Sequence, residues 1–583
     1  MNTGTYTEPL RSETVRDSPK LGWLARKLRE PGVLLRLSAI FLAALYVRTV
    51  TYGFVYDDLG IVFIQWKGWA ALKSLFLHDL FASASGTGSD YYRPLSSALG
   101  IIFVHWTGGT PGWFHLAAVA IHVTAFYLAY LFGRHLFRSE WMALLTAFFY
   151  SIHPAKVEPV AWVGSSWCDG IGALFFFASL ICYFKWRETS RNGWIAGSLL
   201  FYAACLLTKE TLAVLPGLIA VHFWLSETSR QKIRKSFLLL LPYAIAIAGY
   251  FVLRHIALTP HVVSAGVGKP YLKPSFTATN IWSAPLACWW YVKHLVWPTG
   301  LAVMYDSIIV TTPKLWNFVA PGIALLLSGG IGIWIWLRHR SVEATVMVAF
   351  FVLTMAPYIV LAPMAQQHDR YLYLASYPFA ALIAWLLLAP SRVPAQARYA
   401  IGLLLIASWA ASTWHETGFW VDNLSLWQRA SVIAPNSVRP KVVLADEYAL
   451  AGNLPAAEEI ITEGLNAHPA SAYLLYSQAA LAERRDDLTK AKSGYERAFT
   501  ADSFGNLKPI CASKVGNLAM KEKDYAEAER WYRIATTLAP QTVGYHGALA
   551  KALHAQGRET EAAEQYRLEV QVSTAIRRAA NSL

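Results

Sequence analysis

The chain has 583 residues, of which 55% are hydrophobic, 14% aromatic and only 15% charged. A composition this apolar excludes an ordinary soluble or disordered chain and indicates several membrane-spanning segments. The formal net charge of +14 is spread in short basic clusters between apolar runs, which excludes a nucleic-acid partner and is typical of membrane-protein loops. The five cysteines form no CxxC pair, so we expect buried thiols.

A change of composition near residue 414 divides the chain. Apolar runs precede it, and alanine-rich, charged, amphipathic sequence follows it. We therefore predict an all-α protein with a multi-spanning membrane domain followed by a soluble helical domain. The expected parts are a basic cytoplasmic N-terminus (1–32), the membrane domain (33–414) with outer loops at 54–112 and 258–314, a connector (415–434) and an extracytoplasmic repeat domain (435–583).

The apolar runs and the basic clusters between them predict about eleven spans, with the N-terminus inside and the C-terminus outside. The aromatic stretch 281–297 carries Lys293 and His294, so we predict an interfacial or re-entrant helix there. The spans with the clearest limits are expected near 33–53, 113–133, 237–256, 316–337, 343–362, 375–390 and 399–414.

This topology places a set of charged and histidine side chains on one extracytoplasmic face. Singly, each has a simple explanation, such as a local ion pair or an anchor at the membrane interface. Together, they indicate a site for an anionic substrate with a base beside it, and a lipid phosphate is the natural anion at a membrane surface. The set is Asp57, Asp58, Arg93, His153, Lys156, Glu158, Lys209, Glu210, Arg254, Asp369 and Arg370.

Two adjacent carboxylates, Asp57 and Asp58, follow the first predicted helix. An acidic side chain near the middle of a bilayer costs roughly 2.5–3.5 kcal/mol. The pair therefore either faces water in a loop or belongs to a site that uses it. Asp169 lies at the start of another apolar run, and an intramembrane carboxylate also indicates function.

The C-terminal region contains a repeat. Four small residues recur at spacings of 34, 37 and 34 residues, which is the tetratricopeptide (TPR) period. We predict about four units. Their groove either binds a peptide or protein, or the array is a brace. The small residues are Ala457, Ala491, Ala528 and Ala562.

The order of several short motifs resembles the transmembrane and TPR-containing protein O-mannosyltransferases, which are C-type glycosyltransferases. The resemblance covers nearly the whole chain. Its motifs are Tyr56-Asp57-Asp58, Tyr92-Arg93-Pro94-Leu95, His115 with His122, His153-Pro154 with Glu158-Pro159-Val160-Ala161-Trp162, Asp169, Lys209-Glu210-Thr211, Trp297-Pro298, Tyr305-Asp306 and Asp369-Arg370-Tyr371-Leu372-Tyr373-Leu374. The chain departs from the family at Trp167-Cys168 and at Asp369, which leaves the sugar and the acceptor open.

The resemblance implies inverting transfer of one sugar, with mannose as the first choice, from a polyprenyl phosphate in the membrane to a Ser or Thr hydroxyl of a protein or peptide acceptor. Transfer to a hydroxyl requires a base, for which Asp57 is our first choice, with Asp58 orienting the acceptor or sharing the proton; which of the two is the base stays open. No D-x-D triplet accompanies the pair, so no metal ligands are assigned and a divalent metal stays open. Donor phosphate binding is assigned first to Arg370 and then to Arg93, Lys209 and Arg254. The sugar and acceptor pocket is assigned to Tyr92, His153, Glu158, Asp169, Glu210 and Tyr371.

Three alternatives remain at this point. An oligosaccharide ligase would use a lipid-pyrophosphate donor, but it would need its chemistry in a late outer loop, and the loop 364–373 is short. A non-enzymatic membrane-anchored TPR scaffold would use the charged loops only for binding. A transporter would need polar residues across the midplane. Short loops favour a bacterial inner membrane with the repeats in the periplasm, and an endoplasmic reticulum membrane with the repeats in the lumen is the alternative.

Overall fold

The computed structural model describes residues 30–58, 75–76, 91–264, 278–339, 341–360, 367–503 and 505–582. Within these ranges every regular element is helical, as the sequence predicts. The described helices of ten or more residues up to residue 417 are α1 (Pro31–Tyr46), α2 (Pro94–Thr107), α3 (Pro111–Phe137), α4 (Glu140–Ile152), α5 (Val163–Thr189), α6 (Asn192–Thr208), α7 (Leu215–Ser226), α8 (Lys232–Ser264), α9 (Ala278–Val296), α10 (Ala320–His339), α11 (Val342–Val360), α12 (Leu372–Leu388) and α13 (Ala395–Thr417).

Among the described helices, seven are long and apolar enough to cross a membrane, compared with the eleven spans expected. They are α1 with its 3₁₀ extension to Thr51, α3, α5, α8, α10 with the turn before it, α11 and α12. The other four predicted spans are helices α4, α6, α7 and α13. The apolar helices containing α4, α6 and α7 are shorter than 18 residues. α4 ends at Ile152 because Pro154 forces the residue before it out of the helical region.

The stretch 281–297 lies in the 19-residue helix α9, with Pro285 inside it, and this helix is not among the seven candidate spans. Two other segments differ from their predicted form. A 3₁₀ turn at Asp369–Tyr371 leads directly into α12, so Arg370 opens a helix where a free outer loop was expected. The segment expected as a connector contains helix α14 (Asn423–Ile433).

Aromatic side chains hold the membrane helices together. The ring centroid of Tyr377 on α12 lies 5.4 Å from that of Phe132 on α3, 5.5 Å from that of Phe177 on α5 and 5.7 Å from that of Phe350 on α11. Edge-on and offset rings at these distances attract each other beyond the area they bury. The packing brings four helices that are distant in sequence side by side, so the segments that begin or end them also meet.

After α14, the described chain forms four pairs of helices. In each pair a short turn joins two helices that pack along each other, as expected for a TPR array. The pairs are α15 (Val438–Leu450) with α16 (Leu454–Ala467), α17 (Ala472–Arg484) with α18 (Leu488–Ala501), α19 (Lys508–Lys521) with α20 (Tyr525–Leu538), and α21 (Tyr545–Ala555) with α22 (Glu559–Ser582).

The turns within the pairs share one geometry. Their left-handed residues have φ values between 61° and 80°. In three of the four, the next residue caps the second helix by accepting a hydrogen bond from a backbone N–H. Only two of the left-handed positions are glycine, so the capping interaction rather than glycine defines the repeat. The left-handed residues are Gly452, Asp486, Lys523 and Gly557, and the capping residues are Asn453, Asp487 and Asp524.

Close helix packing within the second pair depends on Gly494. A Cβ atom at this position would lie 2.7 Å from the Cβ atom and 3.2 Å from the Cα atom of Ala479. The opposing atoms belong to backbone or to a methyl group joined directly to it, so they cannot rotate away.

We predict that Gly494→Ala destabilises the repeat region by about 1–3 kcal/mol, as expected for overpacking. Without this contact, alanine would stabilise the helix by about 1 kcal/mol relative to glycine. The sign of the change in stability therefore tests the close contact between Gly494 and Ala479. Amide hydrogen exchange of α17 and α18 in the full-length protein measures it. Ser493→Ala, at the exposed neighbouring position, is the control. A more stable Gly494→Ala protein would contradict the packing.

Candidate functional site

Charged side chains from four separate segments meet at one end of the helix bundle. The segments are the turn after α1, the chain between α4 and α5 with the first turns of α5, the residues after α6, and the turn that opens α12. We call Asp57, Glu158, Asp169, Lys209 and Arg370 the charged cluster. The sequence places these residues on one face only by topology, whereas the structure brings them into contact or close proximity.

Asp58 is fully buried and fixes the turn after α1 to the start of α5. Its carboxylate accepts hydrogen bonds from the backbone N–H of Gly164 at 2.7 Å and from that of Val55 at 3.2 Å. Burial raises the pKa of Asp58 to about 8, although these N–H groups oppose the shift. Since both oxygens accept from backbone, the side chain faces inward and holds the loop.

Asp57, unlike Asp58, is not enclosed by the protein. Tyr56, just before it, adopts a left-handed backbone conformation with φ of 58°, and the side chain of Asp57 is exposed. The indole of Trp162 and the charge of Arg370 lie near the carboxylate. Desolvation by the surrounding protein raises the pKa of Asp57, and the attraction of Arg370 only partly offsets it.

Arg370 is held by a buried carboxylate. Its Nη1 atom lies 2.5 Å from Oε1 of Glu158, and its backbone N–H donates to Oε2 of the same residue at 2.9 Å. The guanidinium also lies 4.7 Å from the ring centroid of Trp162, a cation–π contact. Although burial alone would raise it, the pKa of Glu158 falls to about 2 because of Arg370 and the nearby His368. Glu158 is therefore ionised, and it orients Arg370.

Lys209 and Asp169 form a second buried ion pair. Ser165 donates a further hydrogen bond to Asp169 at 3.0 Å. Two stacked tyrosine rings, Tyr358 and Tyr371, with centroids 3.9 Å apart, lie within 5.6 Å of the Lys209 ammonium group. The pair and the rings border a narrow cleft that continues between apolar side chains. The cleft is lined by Asp169, Lys209, Thr211, Leu212, Val214, Thr354, Tyr358, Arg370, Tyr371, Tyr373 and Leu374.

Arg93 and Glu210 form a bidentate pair beside the cluster. The Nη2–Oε1 distance is 2.8 Å and the Nε–Oε2 distance is 3.1 Å. Lys209 and Glu210 are adjacent in sequence, yet each pairs with a distant partner, Lys209 with Asp169 and Glu210 with Arg93.

Three further residues predicted for the site have contacts of their own in the structure. His153 is buried, with its ring 4.6 Å from that of Trp409 and its Nε2 atom 3.0 Å from the Leu295 carbonyl. The Tyr92 hydroxyl donates to the Phe76 carbonyl at 2.9 Å. Arg254 lies on α8, one turn after Tyr250, whose ring centroid is 5.8 Å from that of Tyr92.

Other polar residues at this end of the bundle have no role assigned to them by the resemblance. Lys156 was placed on the outer face, yet it is fully buried and donates to the Ser376 hydroxyl at 2.6 Å and to backbone carbonyls of α12. The Tyr305 hydroxyl donates to Asp369 at 2.5 Å, joining two of the quoted motifs. Tyr358 lies inside an apolar run, so no local pattern marks it.

The described residues contain no group of three His, Cys, Asp or Glu side chains placed to hold a metal ion. Glu158 and Asp169 contact cations, and Asp57 is the exposed acidic side chain of the cluster. The chemistry that these residues offer is proton acceptance by a carboxylate and stabilisation of an anion by Arg370 and Lys209.

Comparison with known proteins gives partial matches. The human protein O-mannosyl-transferase TMTC1 is 25% identical over 205 residues, covering 32% of this chain and 23% of that protein. The Drosophila melanogaster protein O-mannosyl-transferase Tmtc1 is 30% identical over 180 residues, covering 29% of this chain and 20% of that protein. The matched part thus spans about a fifth of the length of these relatives. No family model matches the chain.

Among solved structures, the archaeal oligosaccharyltransferase AglB from Archaeoglobus fulgidus, in complex with an inhibitory peptide and a dolichol-phosphate, aligns with 68% of this chain and 56% of its own. The sequence identity is 12% and the TM-score is 0.39, a likeness too low to carry a functional conclusion. The sequence matches are the stronger finding. Over about a third of its length, this chain is a distant homologue of the transmembrane and TPR-containing protein O-mannosyltransferases.

Proposed function

We propose that this protein is a membrane glycosyltransferase. It transfers a single sugar, mannose in the first instance, from a polyprenyl-phosphate donor to Ser or Thr hydroxyls of proteins on the extracytoplasmic side. The reaction inverts the configuration of the sugar. The proposal rests on the geometry of the charged cluster, and the distant homology supports it.

One observation carries the proposal. Three buried or partly buried carboxylates near the cleft are each paired with a cation: Glu158 with Arg370, Asp169 with Lys209, and Glu210 with Arg93. Asp57 forms no ion pair with any described residue, is exposed, and has a raised pKa. An unpaired carboxylate beside fixed cations is the arrangement that a general base next to an anionic leaving group requires.

In the proposed step, the acceptor hydroxyl oxygen attacks the anomeric carbon of the sugar from the face opposite the phosphate. The new C–O bond forms as the bond between that carbon and the phosphate oxygen breaks, and Asp57 accepts the hydroxyl proton. The polyprenyl phosphate leaves with the electron pair of the broken bond. Phosphate is a good leaving group, so no acid is needed, and the negative charge that develops on it favours nearby cations.

Arg370 and Lys209 are the cations proposed to face the donor phosphate. Both line the same cleft, and Glu158 and Asp169 hold them in place. The apolar end of the cleft, with Leu212, suits the first isoprene units of the lipid chain. Arg93 already forms a bidentate pair with Glu210 through its Nε and Nη2 atoms, and it does not line the cleft, so we rank it below these two.

Two other functions remain candidates for the test. An oligosaccharide ligase would use a lipid-pyrophosphate donor at the same cations. A TPR scaffold would not turn over either donor. We place the repeats in the bacterial periplasm, with the lumen of the endoplasmic reticulum as the alternative, and we propose that their groove binds the acceptor protein.

We predict that Asp57→Asn lowers turnover by about 10²–10⁴-fold, the usual contribution of a general base. The assay follows sugar transfer from a polyprenyl-phosphate mannose to a Ser/Thr peptide. In the wild type, turnover rises with pH as Asp57 loses its proton. Since the pKa of Asp57 is raised from 3.8, that rise lies above pH 3.8.

Asp524→Asn is the matched control, because Asp524 caps a remote helix and asparagine caps equally well. Full activity of Asp57→Asn would contradict its role as the base. If the wild type turns over a lipid-pyrophosphate oligosaccharide and no lipid-phosphate monosaccharide, the ligase is the better description. If neither donor is used, the scaffold is favoured.

We predict that Glu158→Gln destabilises the protein by about 3–5 kcal/mol, because it leaves the charge of Arg370 buried without its partner. Thermal unfolding in detergent measures the change. The control is Glu140→Gln, since Glu140 pairs with Arg134 at an exposed position where both side chains are about half exposed. That change should cost less than about 1 kcal/mol. If the two variants lost the same stability, the prediction that the Glu158–Arg370 pair stabilises the protein more than an exposed pair would be contradicted.

We predict that deletion of 437–583 raises the KM for a protein acceptor and leaves the KM for the lipid donor unchanged, because the donor cations lie outside the deleted region. Deletion of the last helix pair alone, 545–583, is the graded control and should have a smaller effect. Unchanged acceptor kinetics after the larger deletion would mean that the repeats act as a brace.

A further inference from the structure

The turn that carries Asp57 is tied to the first helix after the membrane spans. The backbone N–H of Tyr56 donates to the Oδ1 atom of Asn423 at 2.8 Å, across 367 residues of sequence. A second hydrogen bond, from the N–H of Gly53 to the carbonyl of Val421 at 3.2 Å, runs beside it. The proposed base and the start of α14 are thus parts of one local structure.

Tyr56 requires external support in this position. A left-handed backbone costs a non-glycine residue about 1–2 kcal/mol, and such conformations persist where their surroundings determine them. The Tyr56 ring lies 5.1 Å from the ring of Trp162 and 5.7 Å from that of Trp427 on α14. The guanidinium of Arg439 on α15 lies 5.5 Å from the same ring.

The turn is therefore held from two sides. Asp58 connects it to the membrane helices through the N–H of Gly164, and Tyr56 connects it to α14 through Asn423. Asp57 lies between these two tethers and is itself exposed. With both neighbours fixed, the direction of the Asp57 side chain is restricted to a small range.

The side chain of Asn423 is not needed to begin its own helix. The cap of α14 is Asp422, whose Oδ1 atom accepts from the N–H of Ser425 at 2.8 Å. Asn423 follows it and directs its amide oxygen to Tyr56. The helix can therefore form without this contact, whereas the Tyr56 turn loses a backbone partner.

We infer that Asn423 is a positioning residue that holds Asp57 in its working orientation, so that α14 completes the catalytic turn. The inference rests on the proposed function for Asp57 as the base, and it assigns α14 a role distinct from acceptor binding by the repeats. Misplacement of a reacting group by about 1 Å can cost about 10²-fold in rate. The expected defect therefore lies in the chemical step and not in substrate binding.

The test compares Asn423→Ala with Asp422→Ala in the full-length protein. Asn423→Ala should lower kcat by about 10–100-fold and leave the KM for polyprenyl-phosphate mannose within about twofold. Because a looser turn is better hydrated, the pKa of Asp57 should fall and the rise of kcat with pH should move to lower pH. Asn423→Gln, which keeps an amide oxygen as acceptor and stays neutral beside Glu447, should restore part of the turnover.

Asp422→Ala weakens the cap of the same helix without removing the bond to Tyr56. Equal losses of kcat in both alanine variants, with no shift of the pH profile, would show a merely structural role and overturn the inference. Wild-type kcat in Asn423→Ala would also overturn it. If the wild type itself transfers no sugar, the proposed function fails separately. Amide exchange at Tyr56, which should speed up in Asn423→Ala and not in Asp422→Ala, then decides whether the tether exists.

Discussion

The rest of this site depends on the buried pair between Arg370 and Glu158. Charges enclosed by helices must be matched, because an isolated ion buried away from water is very costly. Glu158 satisfies both the side chain and the backbone N–H of Arg370, and Lys209 and Arg93 have partners of their own. Asp57 has no cation partner among the described residues, and because it is exposed it lies where a substrate can reach it.

The adjacent carboxylates of Asp57 and Asp58 can have different roles because their surroundings differ. Asp58 is enclosed and accepts from backbone N–H groups, which makes it part of the scaffold. Asp57 is exposed, next to Trp162 and Arg370. A single left-handed residue before the pair turns one carboxylate inward and the other outward. In the function we propose, Asp58 therefore has a structural role and Asp57 has the chemical one.

Much of this arrangement could be predicted from the sequence, and the reasons for the failures are physical. Apolar runs and the repeat period identify the helical class, since hydrophobic pattern and helical period are local properties. Charge topology collects Asp57, Glu158 and Arg370 on one face. Pairing between distant residues is not a local property, so the sequence does not show that Lys209 pairs with Asp169 and Glu210 with Arg93. Asn423 falls in a stretch expected to be only a connector, where nothing in the pattern indicates a contact with Tyr56.

The hydrogen bond between Tyr56 and Asn423 also has a consequence for biosynthesis. It joins the end of the first helix to a residue 367 positions later, so the turn cannot reach its final form until the helices between them have been made and inserted. A ribosome adds roughly 5–20 residues per second, which delays this contact by tens of seconds. A nascent chain would therefore carry Asp57 long before the tether at Tyr56 forms, and the activity we propose would appear only after the membrane part is complete.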